Sequence, residues 1–238
     1  SVLRDGALID TFDIERTSVE ELSRAIVGRE VEDVRLLEHK VTDDELALEV
    51  NELWIPKLNE PISFTLRKGE ILGITGVIGS GKTEIGRAIF GVDPISSGSV
   101  KIFGHKYTSL TPQKAKDTGL ALVPEERKTQ GIFPLLTVAN NIIMVNIKRV
   151  LFGLVFLSSR KKRLVSQEAI AACRIVPNDG AIPVRNLSGG NQQKVAIAKW
   201  LIAKPKIIVL DEPTRGIDVG AKVEIRKLII KLAQSGVA

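Results

Sequence analysis

Between Gly76 and Thr83 the chain reads Gly-Val-Ile-Gly-Ser-Gly-Lys-Thr. Three glycines in six residues are costly in conformational entropy, so such a run belongs where the backbone must turn in ways other residues resist. An apolar run, Ile71 to Thr75, precedes the loop, and a helix-like run, Thr83 to Phe90, follows it. The order strand, tight loop, helix is thereby set, and Gly76-x-x-x-x-Gly81-Lys82-Thr83 matches the phosphate-loop pattern in the context that pattern needs. A chance match somewhere in a chain of this size has odds of roughly one in a hundred.

The chemistry of the loop follows from its residue types. Glycines let successive backbone N–H groups turn inward around phosphate oxygens. The helix N-terminus adds partial positive charge. Lys82 is placed to reach the β- and γ-phosphates as a point charge, and the Thr83 hydroxyl to ligate Mg²⁺. A second stretch, Ile207 to Glu212, is an apolar strand ending in two carboxylates. In a parallel sheet, strand C-termini meet at the ligand crevice. Asp211 is therefore the candidate to hold Mg²⁺ through water, and Glu212 to orient or deprotonate an attacking water. A third stretch, Leu187-Ser188-Gly189-Gly190-Asn191-Gln192-Gln193-Lys194, lies directly before a helix and reads as another anion site. The plain alternatives are an acidic turn after a strand and an ordinary N-cap. Two anion loops in one chain point to a nucleotide clamped between two copies of the domain, each lending one loop.

Composition narrows the class. The 238 residues are 44% apolar, enough for a sizeable core. One cysteine, Cys173, allows no internal disulfide and suits a reducing compartment. Together with only His39 and His105 it argues against structural zinc. The net charge is +6, with a cluster at Arg160-Lys161-Lys162-Arg163 that reads as a solvated helix start, or else as a phosphate contact. The preceding Val150–Leu157 segment has eight residues where a membrane span needs about 20. The chain opens Ser-Val-Leu-Arg-Asp-Gly, without methionine or a basic-then-apolar start, which leads us to expect a piece of a longer protein.

Along the chain, Val2 to Phe12 reads as a hairpin around Asp5-Gly6, and Ser18 to Val27 as a helix boxed by Ser18 and Glu21 and stopped by Gly28. Arg29 to Asp44 reads as a charged linker. Strands are expected at Leu46–Val50, Ile62–Leu66, Ile71–Thr75, Val100–Phe103, Leu120–Val123 and Ile207–Leu210. Helices are expected at Thr83–Phe90, Thr137–Ile147, Lys162–Ile175, Asn191–Ala203 and Val219–Leu232. Strands alternating with helices mean an α/β fold.

Phosphate loop, Leu-Ser-Gly-Gly-Asn-Gln-Gln-Lys and Ile-Ile-Val-Leu-Asp-Glu-Pro, in this order, resemble an ABC-type ATPase domain from about Glu45 onward. Val123–Gly131 (VPEERKTQG), Asn191–Lys194 (NQQK) and Asp211–Lys222 (DEPTRGIDVGAK) are similar to the second ATPase domain of bacterial monosaccharide importers of the ribose and galactose type. That resemblance implies a P-loop NTPase with a RecA-like core, a parallel sheet, an antiparallel β piece and a helical subdomain at about 130–186. It implies that residues 1–44 are the tail of a preceding ATPase domain plus linker, and that 45–238 are an ATPase domain with an incomplete C-terminal end.

The same resemblance assigns roles. Gly76, Val77, Ile78, Gly79, Ser80, Gly81, Lys82 and Thr83 form the Walker A loop that binds ATP. Ser188, Gly189, Gly190 and Gln192 belong to the signature, Asp211 is the Walker B acid, Glu212 the catalytic carboxylate and Asp218 the D-loop acid. Glu125 stands where the family carries a glutamine, and with Thr83 and Asp211 completes the Mg²⁺ set. The switch histidine is expected beyond Leu232, and neither His39 nor His105 suits its place, so this stretch alone is expected to hydrolyse ATP weakly or not at all. Trp54, upstream of the loop, is a candidate to stack on adenine, worth about 1–3 kcal/mol; a loop or core tryptophan is the open alternative. Phe133 and the helix after Thr137 are expected in the helical-subdomain core.

The implied partners are transmembrane permease subunits, a second ATPase domain and, indirectly, a solute-binding protein, with no nucleic acid. The implied place is the cytoplasmic face of the plasma membrane, peripherally. An importer of nucleosides or another small solute stays open, as does a non-transport ABC ATPase acting on nucleic acid. A small P-loop kinase or GTPase has no use for the Ser188–Gly190 loop.

Overall fold

The computed structural model describes residues 1–4, 7–13, 15–27, 41, 44–152 and 155–238. The expected Asp5-Gly6 turn, the Gly28 stop and most of the 29–44 linker, His39 included, lie outside the described residues. β1 (Val2–Arg4) pairs antiparallel with β2 (Ala7–Asp10). The helix that follows, α1 (Val19–Val27), opens on the box its sequence calls for. Ser18 Oγ accepts from Glu21 N at 3.2 Å, and Glu21 Oε2 accepts from Ser18 N at 2.9 Å.

Alternating apolar residues build the first core. β3 (Leu46–Trp54) is the hub of a four-stranded antiparallel sheet with β4 (Ile62–Arg67), β5 (Ser97–Ile102) and β6 (His105–Tyr107), in the order β4-β3-β5-β6. Val50 stands opposite both Phe64 and Val100. Leu48, Val50, Leu53, Val100 and Ile102 are buried. Ile85, Ala88 and Ile89 of α2 (Lys82–Ile89) join them in this core. Each of the Val, Leu and Ile side chains among them contributes about 1.5–3 kcal/mol through burial. α3 (Pro112–Asp117), capped by Thr111, leads into β7.

The parallel part is β7 (Leu120–Val123) beside β10 (Ile207–Leu210), with Leu120 opposite Ile207 and Val123 opposite Leu210. β7 is buried throughout, as its unbroken apolar run predicts. The register brings Glu125 and Asp211-Glu212 to the same end of the pair.

Ile71–Thr75 is not the strand its sequence predicts. It has no regular structure: among the described residues no strand pairs with it, and Ile71, Leu72 and Ile74 are 41–47% exposed. Apolar character suits a run to a buried strand, but a ladder needs a neighbouring backbone to exist. Between this segment and β10 lies an apolar cavity of about 420 Å³, lined in part by Phe64, Leu66, Ile74, Ile85 and Val209. The edge of β10 remote from β7 bonds to the chain at Ala238, whose N–H donates to Lys206 O (3.0 Å) and whose carbonyl accepts from Ile208 N (2.8 Å).

A second core unites the remaining helices. α4 (Val138–Ile143), a 3₁₀ segment (Met144–Val150), α5 (Ser159–Ala172) and α6 (Gly189–Leu201) bury Val138, Ile142, Val165, Ile170, Val195 and Ile197 together. Phe133 is not part of it, as its ring is 53% exposed. Asn141 takes the buried place at that corner instead. Its Oδ1 accepts from Phe133 N at 2.7 Å and its Nδ2 donates to the Phe133, Leu136 and Thr137 carbonyls, satisfying a turn that helix bonds cannot. The Val150–Leu157 segment forms a small hairpin, β8 (Leu151–Phe152) with β9 (Phe156–Leu157), and exposes Phe152, Val155 and Phe156. The basic cluster is indeed a helix start. Ser158 caps α5, Lys161 Nζ donates to Leu151 O (2.7 Å) and Lys162 Nζ to Asn140 Oδ1 (2.5 Å).

α6 and α7 (Val219–Gln234) are joined by a partly buried ion pair. Lys194 Nζ lies 2.6 Å from Glu224 Oε2 and also donates to Arg174 O at 2.8 Å. Lys199, on α6 too, donates to Gly131 O, and burial pulls its ammonium down to about 8 from 10.5. A depressed cation means that the unfolded chain binds the extra proton between those values, so stability rises with pH from about 8 towards 10.5. We expect Lys199→Met to flatten that rise, measured as urea midpoints from pH 7 to pH 10. An unchanged slope would count against the buried placement of the amine.

Candidate functional site

The loop from Gly76 to Thr83 has the backbone its glycines permit. Gly79 and Gly81 sit at φ 83° and 90°, and Gly81 precedes α2 with no side chain capping the helix. The first-turn N–H groups are therefore left for a ligand. A Cβ on Gly76 would lie 2.5 Å from Ser80 Oγ. Lys82 folds back over the loop, with Nζ donating to Gly76 O at 2.8 Å and lying 3.7 Å from Glu212 Oε1. Val77 and Ile78 stand out fully into solvent.

Three oxygen-bearing side chains converge beside it. The Thr83 hydroxyl is shared between Asp211 and Glu125, whose Oε2 is 3.5 Å from Oγ1. One hydroxyl has one proton, so it serves one carboxylate at a time. Burial pushes the Asp211 carboxyl up; the Thr83 hydrogen bond opposes this and the neighbouring Glu212 charge reinforces it. Glu212 follows in the left-handed region at φ 43°, a strained place for a residue with a side chain. Two carboxylates and a hydroxyl beside a phosphate loop fit Mg²⁺, which favours one or two carboxylates plus substrate phosphates.

The signature residues are arranged differently from one another. Ser188 caps α6, its Oγ accepting from Asn191 N (3.4 Å) and Nδ2 (3.0 Å). Gly189 lies against the Arg127 guanidinium. Gly190 lies against Ala221 of α7, where a Cβ would come within 2.4 Å of the Ala221 Cβ. Gln192, read from sequence as part of the anion loop, is turned inward. It is buried, its Nε2 donates to Leu187 O at 3.0 Å and its Oε1 is buried without a partner, so it supports the loop from below. Asp218 caps α7 by accepting from Ala221 N at 2.8 Å. Trp54 ends β3 and is 44% exposed. Its strand leads into Lys57 and Leu58, and the latter lies against Gly81. His105 opens β6 on the edge of the antiparallel sheet.

Two arginines escaped the sequence reading. Arg215 Nη1 contacts Glu125 Oε1 and lies 3.4 Å from Glu126 Oε1. Arg127 donates from Nη1 to Arg215 O (2.8 Å) and from Nη2 to Gly216 O (3.1 Å). The available signal was charge: two acids after β7 and an arginine just after the Asp211-Glu212 pair.

Loop, paired acids and the Ser188–Gly190 turn on mixed sheets and helices define an ATP-binding cassette. Residues 59–215, more than half of the chain, match the model of the ABC transporter family, and the chain belongs to that family. It is 41% identical, over its whole length, to a ribose import ATP-binding protein of Geobacillus kaustophilus, covering 48% of that protein. It is also 41% identical over 99% of its length to an arabinose import ATP-binding protein of Azospirillum brasilense, covering 45% of it. The chain thus spans about half the length of the curated relatives it matches. Among solved structures, a dimeric ATP-binding cassette in a post-hydrolysis state with ADP and Pi aligns at TM-score 0.67 and 25% identity, over 80% of this chain and 84% of that one.

Proposed function

We propose that this chain is an ATP-binding and hydrolysing domain of an importer for a monosaccharide, coupling Mg-ATP turnover to a membrane permease. The observation that carries the reading is the loop at 76–83, with Lys82 latched across it and Thr83, Asp211 and Glu125 meeting beside it. The sugar follows from relatives that import ribose and arabinose. We further propose that the ATPase domain is 45–238, with the helical subdomain at about 130–186, and that residues 1–44 are the tail of a preceding ATPase domain plus linker.

In this reading Gly76–Thr83 binds the phosphates through backbone N–H groups, and Lys82 leaves the Gly76 carbonyl to reach them. Thr83, Asp211 and Glu125 hold Mg²⁺, which when bound neutralises phosphate charge. Glu212 orients the attacking water and takes its proton. Trp54 offers its exposed face to adenine. Ser188, Gly189 and Gly190 complete the site of a second ATPase domain, with Gln192 bracing them. The domain works at the cytoplasmic face of the plasma membrane, peripherally, and a solute-binding protein outside supplies the sugar. Among the described residues no helix is long and apolar enough to cross a membrane. Calorimetric titration of the chain with ATP, with and without Mg²⁺, tests the reading. Saturable binding, tighter with Mg²⁺, supports it, and no binding removes it.

The β8–β9 hairpin, with Phe152, Val155 and Phe156 exposed, is the surface offered to the permease. Val155→Asp in the parent protein is expected to reduce co-isolation with the permease severalfold while ATP binding stays intact. Unchanged assembly would move the docking surface elsewhere.

A further inference from the structure

The loops after β7 and β10 bring four acidic residues to the same end of the parallel pair: Glu125 and Glu126 from one, Asp211 and Glu212 from the other. Lys82 answers Glu212 at 3.7 Å, but it belongs to the phosphate loop. A neutral amide at position 125 would add no charge. The glutamate adds one beside a site proposed to take a triphosphate, and like charges in one site raise the cost of anion binding.

Arg215 stands at that carboxylate. Its guanidinium contacts Glu125 Oε1, while Glu125 Oε2 faces the Thr83 hydroxyl at 3.5 Å and Glu126 Oε1 lies 3.4 Å away. Its own backbone is fixed from two sides. Arg215 N donates to Glu212 O at 3.0 Å, and Arg127 grips the Arg215 and Gly216 carbonyls. Arg127 comes from the same short loop as Glu125, so the two loops hold each other reciprocally. The clasp reaches the signature turn, because Arg127 Nη2 would lie 3.0 Å from a Cβ on Gly189.

We infer that Arg215 is a positioning residue for the nucleotide site. It cancels the charge of Glu125 and aims that carboxylate at Thr83, which lets a carboxylate stand beside a site for a triphosphate. The inference rests on the nucleotide reading above.

A double-mutant cycle on the full chain tests it with two readouts: ATP affinity in EDTA and in Mg²⁺ by calorimetry, and Tm without nucleotide. Arg215→Gln is expected to weaken ATP binding in EDTA by roughly threefold to tenfold and to steepen its Mg²⁺ dependence. Arg215→Lys keeps the charge without the planar fork, and is expected to recover only part of the loss. In Tm, Arg215→Gln and Glu125→Gln should be non-additive, the double variant losing no more than the worse single one. Additive Tm losses overturn the contact, and unchanged ATP affinity in Arg215→Gln overturns the role; either sinks the inference. If Arg215→Gln does not fold, the double variant should, since it removes the part-buried Glu125 charge and leaves only Glu126, whose carboxylate is exposed to water; a double variant that also fails to fold sinks the inference as well. Wild-type chain that binds no ATP is a different failure, because it removes the nucleotide reading and this inference with it.

Discussion

Lys82→Ala is expected to weaken Mg-ATP binding by about a hundredfold or more. The change removes the cation nearest the loop and also leaves Glu212, 3.7 Å from Nζ, facing the phosphates without its counter-charge. Both effects push the same way. The fold should not notice. The Lys82 side chain belongs to neither apolar core, and its bond to the Gly76 carbonyl spans an exposed loop. We therefore expect Tm to stay within about 2 °C of wild type while binding is lost. Lys82→Arg is the informative companion. It keeps the charge, but its larger planar head cannot take the place of a compact ammonium folded within the tight loop, so it should restore only part of the affinity. Calorimetry with Mg-ATP on the three chains decides. Binding by Lys82→Ala at wild-type strength would mean that the loop at 76–83 is not where the triphosphate sits.

The site was legible in sequence wherever one local pattern determined both geometry and chemistry. Gly76–Thr83 is such a case, because the backbone of the loop requires its glycines, with Gly79 and Gly81 at positive φ. β7 and β10 are others, as apolar runs bounded by glycine, proline or acids. The rest depended on where the fold sets each residue against its neighbours. Ile71–Thr75 has the composition of a strand, but pairing is a property of two backbones, and among the described residues no strand lies beside it. Phe133 looked like core, yet Asn141 takes the buried place because the turn at 133–137 has N–H and C=O groups that an apolar ring cannot satisfy. Gln192 sits in the motif but not on its outer face, since one turn of helix is enough to rotate a side chain inward. The Arg215–Glu125 contact could not be paired from sequence, because the parallel register that brings those loops together is set by β7 and β10.

Gly98→Ala is expected to be the most destabilising single-methyl change in the antiparallel sheet, at roughly 3–5 kcal/mol. Two costs add. Gly98 sits at φ 88°, which a side chain resists, and a Cβ there would come within 2.1 Å of the Glu52 carbonyl oxygen and 2.6 Å of that of Asn51. Those are backbone atoms of the neighbouring strand, so no rotamer change relieves the clash and the two strands must part. The crowding has a purpose that the register shows. Between Asn51 and Trp54 the pairing of β3 with β5 slips, Glu52 adopts φ 47°, and Trp54 re-enters the ladder opposite Ser97. This bulge carries the chain past Trp54 to Leu58, which packs on Gly81 of the phosphate loop. Urea unfolding should show a large fall in midpoint, read together with the exposure of Trp54 by fluorescence quenching. If Gly98→Ala unfolds at the wild-type midpoint, the bulge is not as tight as its carbonyl contacts require. If it is destabilised but its Trp54 quenching is unchanged, the bulge serves the sheet alone and not the placement of that ring.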